Sequence, residues 1–263
     1  MHAWRSSAPL GACAWHFAIG AKNARIGSMQ TPEEHPRHLV YFADPMCSWC
    51  WGFSPVINGL ATHFGSRLPV TLIVGGLRPG STTPMNDEMK AQIRHHWETV
   101  EERTGQPFDY RFFERDGFIY DTEPADRAIV VMRLLNPLVM LAYFNSVQRA
   151  FYAENRDVTK DEVLADIAAE HGLDRERFLK ALATEQARIA TRQDFETARD
   201  SSVTGFPTLY AGDTQSGYAM VTTGYRPLDG LPEILEEWLA MPQLPPDGAP
   251  PNGTPPNGPV GHA

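Results

Sequence analysis

The order of strand and helix patterns constrains the fold of this 263-residue chain more than any other feature. Apolar, β-branched runs predict buried strands at residues 38–43 and 69–74, and two further strand patterns follow at residues 203–211 and 217–223. Between these two pairs the periodicity is helical, and Thr83-Pro84 predicts the cap and first turn of the first helix there. Strands at both ends with helices between them predict an α/β layer fold, β-α-β then β-β-α, with a helical insertion.

This pattern divides the chain into five segments. Residues 37–83 are predicted to form the β-α-β half, residues 84–200 a helical insertion, and residues 201–241 the β-β-α half. Residues 1–36 are predicted to be a disordered extension; the alternative is a secretory signal, because a basic residue precedes an apolar stretch. Residues 242–263 repeat Pro-Pro-Asn-Gly and lack the apolar residues that offset chain entropy, so we predict a disordered tail.

Composition and charge exclude several classes of function. The formal net charge is −9, and the 23 Lys and Arg residues are scattered along the chain, so no nucleic-acid partner is indicated. No apolar run approaches the ~20 residues of a spanning helix, so no membrane partner is expected. A structural zinc site needs four Cys or His ligands, whereas His95 and His96 are adjacent and point about 100° apart on a helix. We therefore expect no metal.

Residues 44–52, DPMCSWCWG, contain two of the three cysteines. Cys47 is predicted to open a helix just after the first strand, where unpaired backbone N–H groups and the helix dipole stabilise a thiolate. Cys50 lies one turn further on, within reach to form a disulfide with Cys47. The third cysteine, Cys13, falls in the predicted extension. The spacing therefore indicates a redox-active pair rather than a disulfide scaffold.

A second motif lies far downstream, where Thr204-Gly205-Phe206-Pro207-Thr208 leads into a predicted strand. The strand–Cys47-Ser48-Trp49-Cys50–helix unit, this proline segment and the large helical insertion together resemble the DsbA branch of the thioredoxin superfamily, over about residues 37–240. The resemblance implies a thioredoxin fold with a helical insertion, and a protein-disulfide oxidoreductase or isomerase that works by thiol–disulfide exchange. It also implies chemistry without an organic cofactor or a metal.

The resemblance assigns a role to each cysteine. Cys47 is expected to be the attacking thiolate, and Cys50 the more buried, resolving thiol. Family members commonly carry a buried acid on the strand before this motif, but the corresponding position here falls near Tyr41. Asp44 is the nearest carboxylate and is a candidate for handling protons; the alternative is a structural role in the turn before Pro45.

Four residues are expected to form the substrate-binding surface. Pro207 matches the family's cis-proline, which packs against the cysteine pair, and Phe206 is expected to offer backbone hydrogen bonds to an extended substrate while its side chain shapes the approach. Gly205 and Trp49 complete this surface. Arg78, in a Gly/Pro loop after the second strand, is an auxiliary candidate that could hold an anionic group; a solvated arginine is the alternative.

The expected partners are protein thiols and disulfides, with glutathione or a thioredoxin-type reductant as candidate co-substrates. Without a clear export signal we expect a cytoplasmic location, and a periplasmic or secreted one if residues 1–30 act as a signal. The residues leave open whether the protein oxidises, isomerises or reduces disulfides. Two other functions also stay open: a glutathione-dependent enzyme like the kappa-class transferases and 2-hydroxychromene-2-carboxylate isomerases, and a non-catalytic peptide-binding module.

Overall fold

The structure, a computed structural model that describes residues 37–214 and 216–241, is built on a four-stranded sheet. The strands are β1 (His38–Ala43), β2 (Val70–Val74), β3 (Thr208–Asp213) and β4 (Gly217–Thr223). The α-helices are α1 (Ser48–Phe64), α2 (Asp87–Thr104), α3 (Glu123–Leu135), α4 (Met140–Tyr152), α5 (Asp161–Glu170), α6 (Arg175–Leu182), α7 (Glu185–Asp200) and α8 (Leu231–Ala240). This order confirms the predicted α/β thioredoxin-like fold with a helical insertion between β2 and β3.

The sheet topology brings three strand ends together. The strand order is β2-β1-β3-β4, with β1 parallel to β2 and antiparallel to β3, and β3 antiparallel to β4. Ala43 at the end of β1 pairs with Val74 at the end of β2, and the preceding Phe42 pairs with Thr208 at the start of β3. The same end of the sheet therefore carries the cysteine motif, the loop after β2 and the proline loop before β3.

Both faces of the central strand are covered. Leu39, Tyr41 and Ala43 of β1 are fully buried in the main core, whereas Val40 and Phe42 point to the opposite face. There they form a smaller cluster with Ala198 of α7. The alternation of side chains along a strand explains this division.

The helical insertion also covers the outer edge of the sheet. The Val74 amide of edge strand β2 donates to Asp194 Oδ2 of α7 at 3.0 Å, and Arg133 of α3 donates to the Leu72 carbonyl at 2.8 Å. Arg133 also forms a two-pronged ion pair with Asp194, with N···O distances of 2.8 and 2.7 Å. These contacts satisfy backbone groups that an edge strand otherwise leaves unpaired.

Two local predictions are wrong. Thr83 does not cap the first helix of the insertion; α2 begins at Asp87, and its N-cap is Asn86, whose side chain accepts from the Met89 amide at 2.8 Å. The strand predicted over residues 203–211 begins later, at Thr208, because Pro207 has no N–H to pair in the sheet.

Several predictions fall outside the described residues: the N-terminal extension with Cys13, and the tail from residue 242 onward. Within the described part, no helix is both long and apolar enough to cross a membrane.

Candidate active site

The cysteine motif occupies the start of α1. Cys47 is the N-cap residue, and its carbonyl accepts the first helical hydrogen bond from the Trp51 amide at 3.0 Å. Its side chain makes no capping hydrogen bond, so the free N–H groups of the first turn are available to stabilise a thiolate. The solvent-exposed fraction is 6% for Cys47 and zero for Cys50, and both are free thiols. The more accessible sulfur is therefore the one expected to attack.

The proline loop lies directly beside Cys47. The Phe206–Pro207 peptide bond is cis, as expected from the sequence, and the Cys47 thiol donates to the Phe206 carbonyl at 3.6 Å. Two bonds hold the loop in place: the Gly224 amide donates to the Pro207 carbonyl at 2.7 Å, and the Thr208 hydroxyl donates to the Gly205 carbonyl at 2.8 Å. Cys47 and Phe206, which are 159 positions apart in the sequence, are thus in contact through the Cys47 sulfur.

The Phe206 ring packs inward. It lies so close to Gly75 that a Cβ on this glycine would stand 1.9 Å from the Phe206 ring. Gly75 in turn donates its amide to the Ala43 carbonyl at 2.8 Å, which extends the β1–β2 pairing. The loop therefore presents the Phe206 carbonyl to Cys47, while the ring is held against the end of β2. The expectation that this side chain shapes the substrate's approach stays a prediction.

Cys50 lies in a buried environment without an acid on the preceding strand. Burial raises the pKa of the Cys50 thiol well above its usual value, neighbouring Cys47 adds to this rise, and the Asp44 backbone opposes it. The Tyr41 side chain contacts Cys50, and burial likewise raises the pKa of Tyr41.

Asp44 joins the cysteine motif to the loop after β2. It is fully buried, and its two carboxylate oxygens accept from the amides of Met46 and Leu77, each at 2.7 Å. Burial raises the pKa of Asp44, and the two amide donors oppose that rise. The residue therefore has the structural role expected of a turn aspartate, and its carboxylate also lies near Cys50.

A second buried acid, Asp126 of α3, meets Asp44. The two side chains are within hydrogen-bond contact, and the Thr122 hydroxyl bonds Asp126 Oδ2 at 3.3 Å. Burial, followed by the charge of Asp44, raises the pKa of Asp126 well above its usual value. Asp126 was not identified from the sequence, although an aspartate three positions before buried Ile129 was a visible signal.

Arg78 is exposed, and its backbone is anchored near the site. Its amide donates to the Thr122 hydroxyl at 3.1 Å, and its guanidinium lies 5.9 Å from the centre of the Tyr120 ring. The Tyr120 hydroxyl donates to the Met46 carbonyl at 2.6 Å, beside the cysteine motif. Arg78 thus lies near a tyrosine that is hydrogen-bonded to the residue before Cys47.

Trp49 forms an aromatic and cationic surface on the outer side of the motif. Its ring centre lies 6.2 Å from that of Tyr225, and Arg103 of α2 stands 5.5 Å from the Tyr225 ring and 6.0 Å from the Trp49 ring. Arg103 is exposed and makes no ion pair within the described part of the chain. We call Trp49, Arg103 and Tyr225 the Trp49 surface; the last two were not identified from the sequence.

Among residues 37–214 and 216–241, no three His, Cys, Asp or Glu side chains converge on a position that could hold a metal ion. The groups at the site are two thiols, two buried carboxyl groups and the backbone of the proline loop.

Comparison with known proteins agrees with this geometry. A candidate protein disulfide isomerase from Nitrosomonas europaea is 38% identical, with 77% of this chain and 97% of that one covered and a TM-score of 0.72. The cytosolic disulfide reductase DsbM from Pseudomonas aeruginosa, also solved with GSH, is 27% identical, with 77% and 98% covered and a TM-score of 0.65. The ClpXP adapter protein SpxH of Bacillus subtilis is 28% identical over 207 residues, which cover 78% of this chain and 68% of SpxH.

The sequence also matches a known domain family over most of the described residues. The match to the DSBA-like thioredoxin domain extends over residues 38–236 and includes the cysteine motif, the helical insertion and the proline loop. The chain therefore belongs to the DSBA-like thioredoxin domain family.

Proposed function

We propose that this protein is a thiol–disulfide oxidoreductase that acts on protein disulfides through Cys47 and Cys50. The observation that carries this proposal is the 3.6 Å contact between the Cys47 sulfur and the Phe206 carbonyl. It places a nucleophile at a helix start beside a backbone acceptor that an extended substrate segment can use. A structural cysteine pair has no need of such a neighbour.

The exchange proceeds in two balanced steps. The Cys47 thiolate attacks one sulfur of the substrate disulfide, and the other substrate sulfur leaves as a thiolate. Cys50 then gives up its proton and attacks Cys47, so that a Cys47–Cys50 disulfide forms and the second substrate sulfur leaves with the electron pair. The substrate is reduced by two electrons and the protein is oxidised by two; an oxidase runs the same steps in reverse.

The relatives support a reducing role with glutathione as a co-substrate. DsbM is named a cytosolic disulfide reductase and has been solved with GSH. We propose the same direction and a cytoplasmic location for this chain, where thiol pools hold cysteine pairs reduced. Cys47 occupies the position at which the kappa-class transferases usually carry serine, which favours exchange chemistry over glutathione conjugation.

Trapping the mixed disulfide tests the proposal. A Cys50→Ser variant incubated with insulin should accumulate a covalent adduct on Cys47, detected by mass spectrometry and released by dithiothreitol. Cys47→Ser is the matched control. It makes the same sulfur-to-oxygen replacement at the other cysteine, one helical turn away, and should give no adduct. If the Cys50→Ser variant forms no adduct, or if Cys47→Ser catalyses insulin reduction like the parent, the proposal fails.

Similarity to SpxH favours a second candidate function, protein binding without catalysis. SpxH is named a ClpXP adapter protein, and the Trp49 surface offers two aromatic rings and an arginine to a protein partner. A Cys47→Ser/Cys50→Ser double variant separates the two functions. It should retain a purely adapter-like interaction in full, whereas the oxidoreductase proposal predicts loss of all disulfide exchange.

A further inference from the structure

Arginines without a partner of opposite charge are concentrated around the cysteine motif. Most arginines in the described part of the chain form ion pairs with Asp or Glu, and Arg37 and Arg115 donate to backbone carbonyls. Within residues 37–214 and 216–241, those with neither an ion pair nor a side-chain hydrogen bond are Arg78, Arg103, Arg177 and Arg226. The chain has a net charge of −9, so carboxylates are not scarce. Three of the four border the thiol site, and we call Arg78, Arg103 and Arg226 the site arginines.

Arg103 lies beside the residue that separates the two cysteines. Its guanidinium is 6.0 Å from the centre of the Trp49 ring and 5.5 Å from that of the Tyr225 ring. The chain just after α2 is fixed to the cysteine helix, because the Trp51 indole N–H donates to the Pro107 carbonyl at 3.1 Å. A basic residue in the last turn of a helix also stabilises the helix dipole, but that effect needs no aromatic neighbour. The N–H donors of Arg103 are therefore available to a ligand at this position.

Arg78 lies at a second point near the motif. It is exposed, and its guanidinium is 5.9 Å from the centre of the Tyr120 ring, whose hydroxyl donates to the Met46 carbonyl just before Cys47 at 2.6 Å. Among the described residues the Tyr120 ring contacts rings of the insertion and not that of Trp49. Arg78 therefore marks a separate position for an anionic group.

Arg226 belongs to the loop that supports the proline loop. It follows Tyr225, and two residues earlier the Gly224 amide donates to the Pro207 carbonyl at 2.7 Å. The site arginines thus come from three segments: the loop after β2, the end of α2 and the loop after β4. No single element of local structure requires them, so a shared ligand is a simpler explanation for their common lack of partners.

We propose that the site arginines bind carboxylate groups that flank the reacting disulfide, so that the protein acts preferentially on disulfides in acidic protein segments. This inference rests on the proposed exchange reaction and names its substrate class. A planar guanidinium binds a carboxylate through paired N–H donors. Because the arginines stand at separate positions, a segment of several residues can contact more than one of them. They bind the substrate, and the bonds that break and form remain those of the exchange.

The overall charge of the chain predicts the opposite preference. A net charge of −9 repels acidic partners at long range and attracts basic ones. A preference for acidic substrates therefore has to come from cations close to the site. The sign of the preference separates local recognition from the general electrostatics of the protein.

Three disulfide-containing peptides, identical except that the residues flanking each cysteine are Glu, Gln or Lys, test the inference. The rate constant of the reduced protein with each peptide is measured in a single turnover at physiological salt. Each value is divided by the rate of reduction by dithiothreitol, because charged neighbours also alter the reactivity of the disulfide itself. We expect the Glu peptide to react about 3- to 10-fold faster than the Gln peptide, the combined effect of two or three exposed ion pairs, and the Lys peptide to be slowest.

The triple variant Arg78→Gln/Arg103→Gln/Arg226→Gln should lose this preference while its rate with the Gln peptide stays the same. Arg177→Gln is the matched control. It removes the same charge from the fourth arginine without a partner, which is exposed on α6, a helix packed against α3, α5 and α7. This control should keep the parent's preference in full.

The outcomes separate the inference from the proposed function. If the parent exchanges with none of the peptides in either direction, the oxidoreductase proposal fails. If it exchanges equally well with the Glu and Gln peptides, or if the triple variant keeps the preference, the substrate class is wrong and the exchange reaction stands. If the triple variant is slowed with oxidised glutathione alone, the arginines serve glutathione, and the proposal for acidic protein segments is overturned.

Discussion

The Phe206 ring packs directly against the backbone of Gly75, and any side chain at Gly75 would overlap the ring. The contact joins the proline loop to the residue that follows β2. Because the Phe206 carbonyl is the group that meets the Cys47 thiol at 3.6 Å, the ring's position determines how that carbonyl is presented.

Gly75→Ala should therefore impair exchange more than it impairs folding. Overpacking of this kind costs about 1–3 kcal/mol of stability, whereas displacing a reacting group by about 1 Å can cost about 100-fold in rate. We expect insulin reduction to fall by roughly 10- to 100-fold while the variant stays folded by circular dichroism. Gly75→Ala/Phe206→Leu removes part of the clash and should recover activity. Equal activity of Gly75→Ala and the parent would contradict this role of the contact.

The Trp49 surface should bind substrate rather than take part in the chemistry. Arg103→Gln removes a cation that has no ion-pair partner in the described chain, and we expect KM for a carboxylate-bearing substrate such as oxidised glutathione to rise about 3- to 10-fold, with kcat unchanged. Arg94→Gln is the matched control: Arg94 lies on the same helix, pairs with Glu98 and stands 5.2 Å from the centre of the Tyr110 ring, which is not part of the Trp49 surface. If both variants raise KM equally, the surface has no specific role.

The ion pair on the edge of the sheet should contribute strongly to stability. Asp194→Ala leaves the Arg133 guanidinium without its partner and the Val74 amide without its acceptor. Breaking a largely buried ion pair typically costs about 3 kcal/mol. We expect the free energy of unfolding, measured in urea, to fall by about this amount. Asp200→Ala, an exposed position on the same helix, should change it by less than about 0.5 kcal/mol. An equally small change for Asp194→Ala would show that the contacts of Asp194 do not stabilise the edge strand β2.

The two buried aspartates, Asp44 and Asp126, also predict how stability depends on pH. An acid whose pKa rises on folding binds more protons in the folded chain than in the unfolded one, so stability falls as pH rises from the ordinary aspartate value of 3.8 through the raised one. Asp126→Asn removes the titrating carboxyl group, so the variant does not lose stability in this way as pH rises. We expect the Tm of the variant minus that of the parent to increase between about pH 4 and about pH 8. A difference that stays constant or decreases over this interval would show that Asp126 titrates normally.

Patterns close in sequence predicted much of the fold and of the site. β1, α1 and β4 follow from their apolar runs, and the cysteines and Pro207 follow from short motifs. Thr83 was predicted as a cap because it precedes a proline, yet Asn86 makes the capping bond three residues later. Ser, Thr and Asn are all good caps, so the choice depends on where tertiary packing lets the helix begin.

The parts of the site that were missed depend on contacts between distant segments. Asp126 lies 82 positions after Asp44 (126 − 44), and Tyr225 lies 122 positions after Arg103 (225 − 103). No periodicity connects such residues, because the path of the insertion over the sheet decides which of its side chains reach the cysteines. A charged residue on a buried helix face was the one local signal available for Asp126.

The redox equilibrium of Cys47 and Cys50 tests the central claim most directly. The protein is equilibrated in glutathione buffers of graded potential, quenched with acid, alkylated and weighed by mass spectrometry. We expect one two-electron transition between free thiols and an intramolecular Cys47–Cys50 disulfide, with a midpoint between about −270 mV and about −120 mV, the span of thioredoxin and DsbA. If both cysteines stay alkylatable at every potential, no exchanging pair exists and the account is wrong.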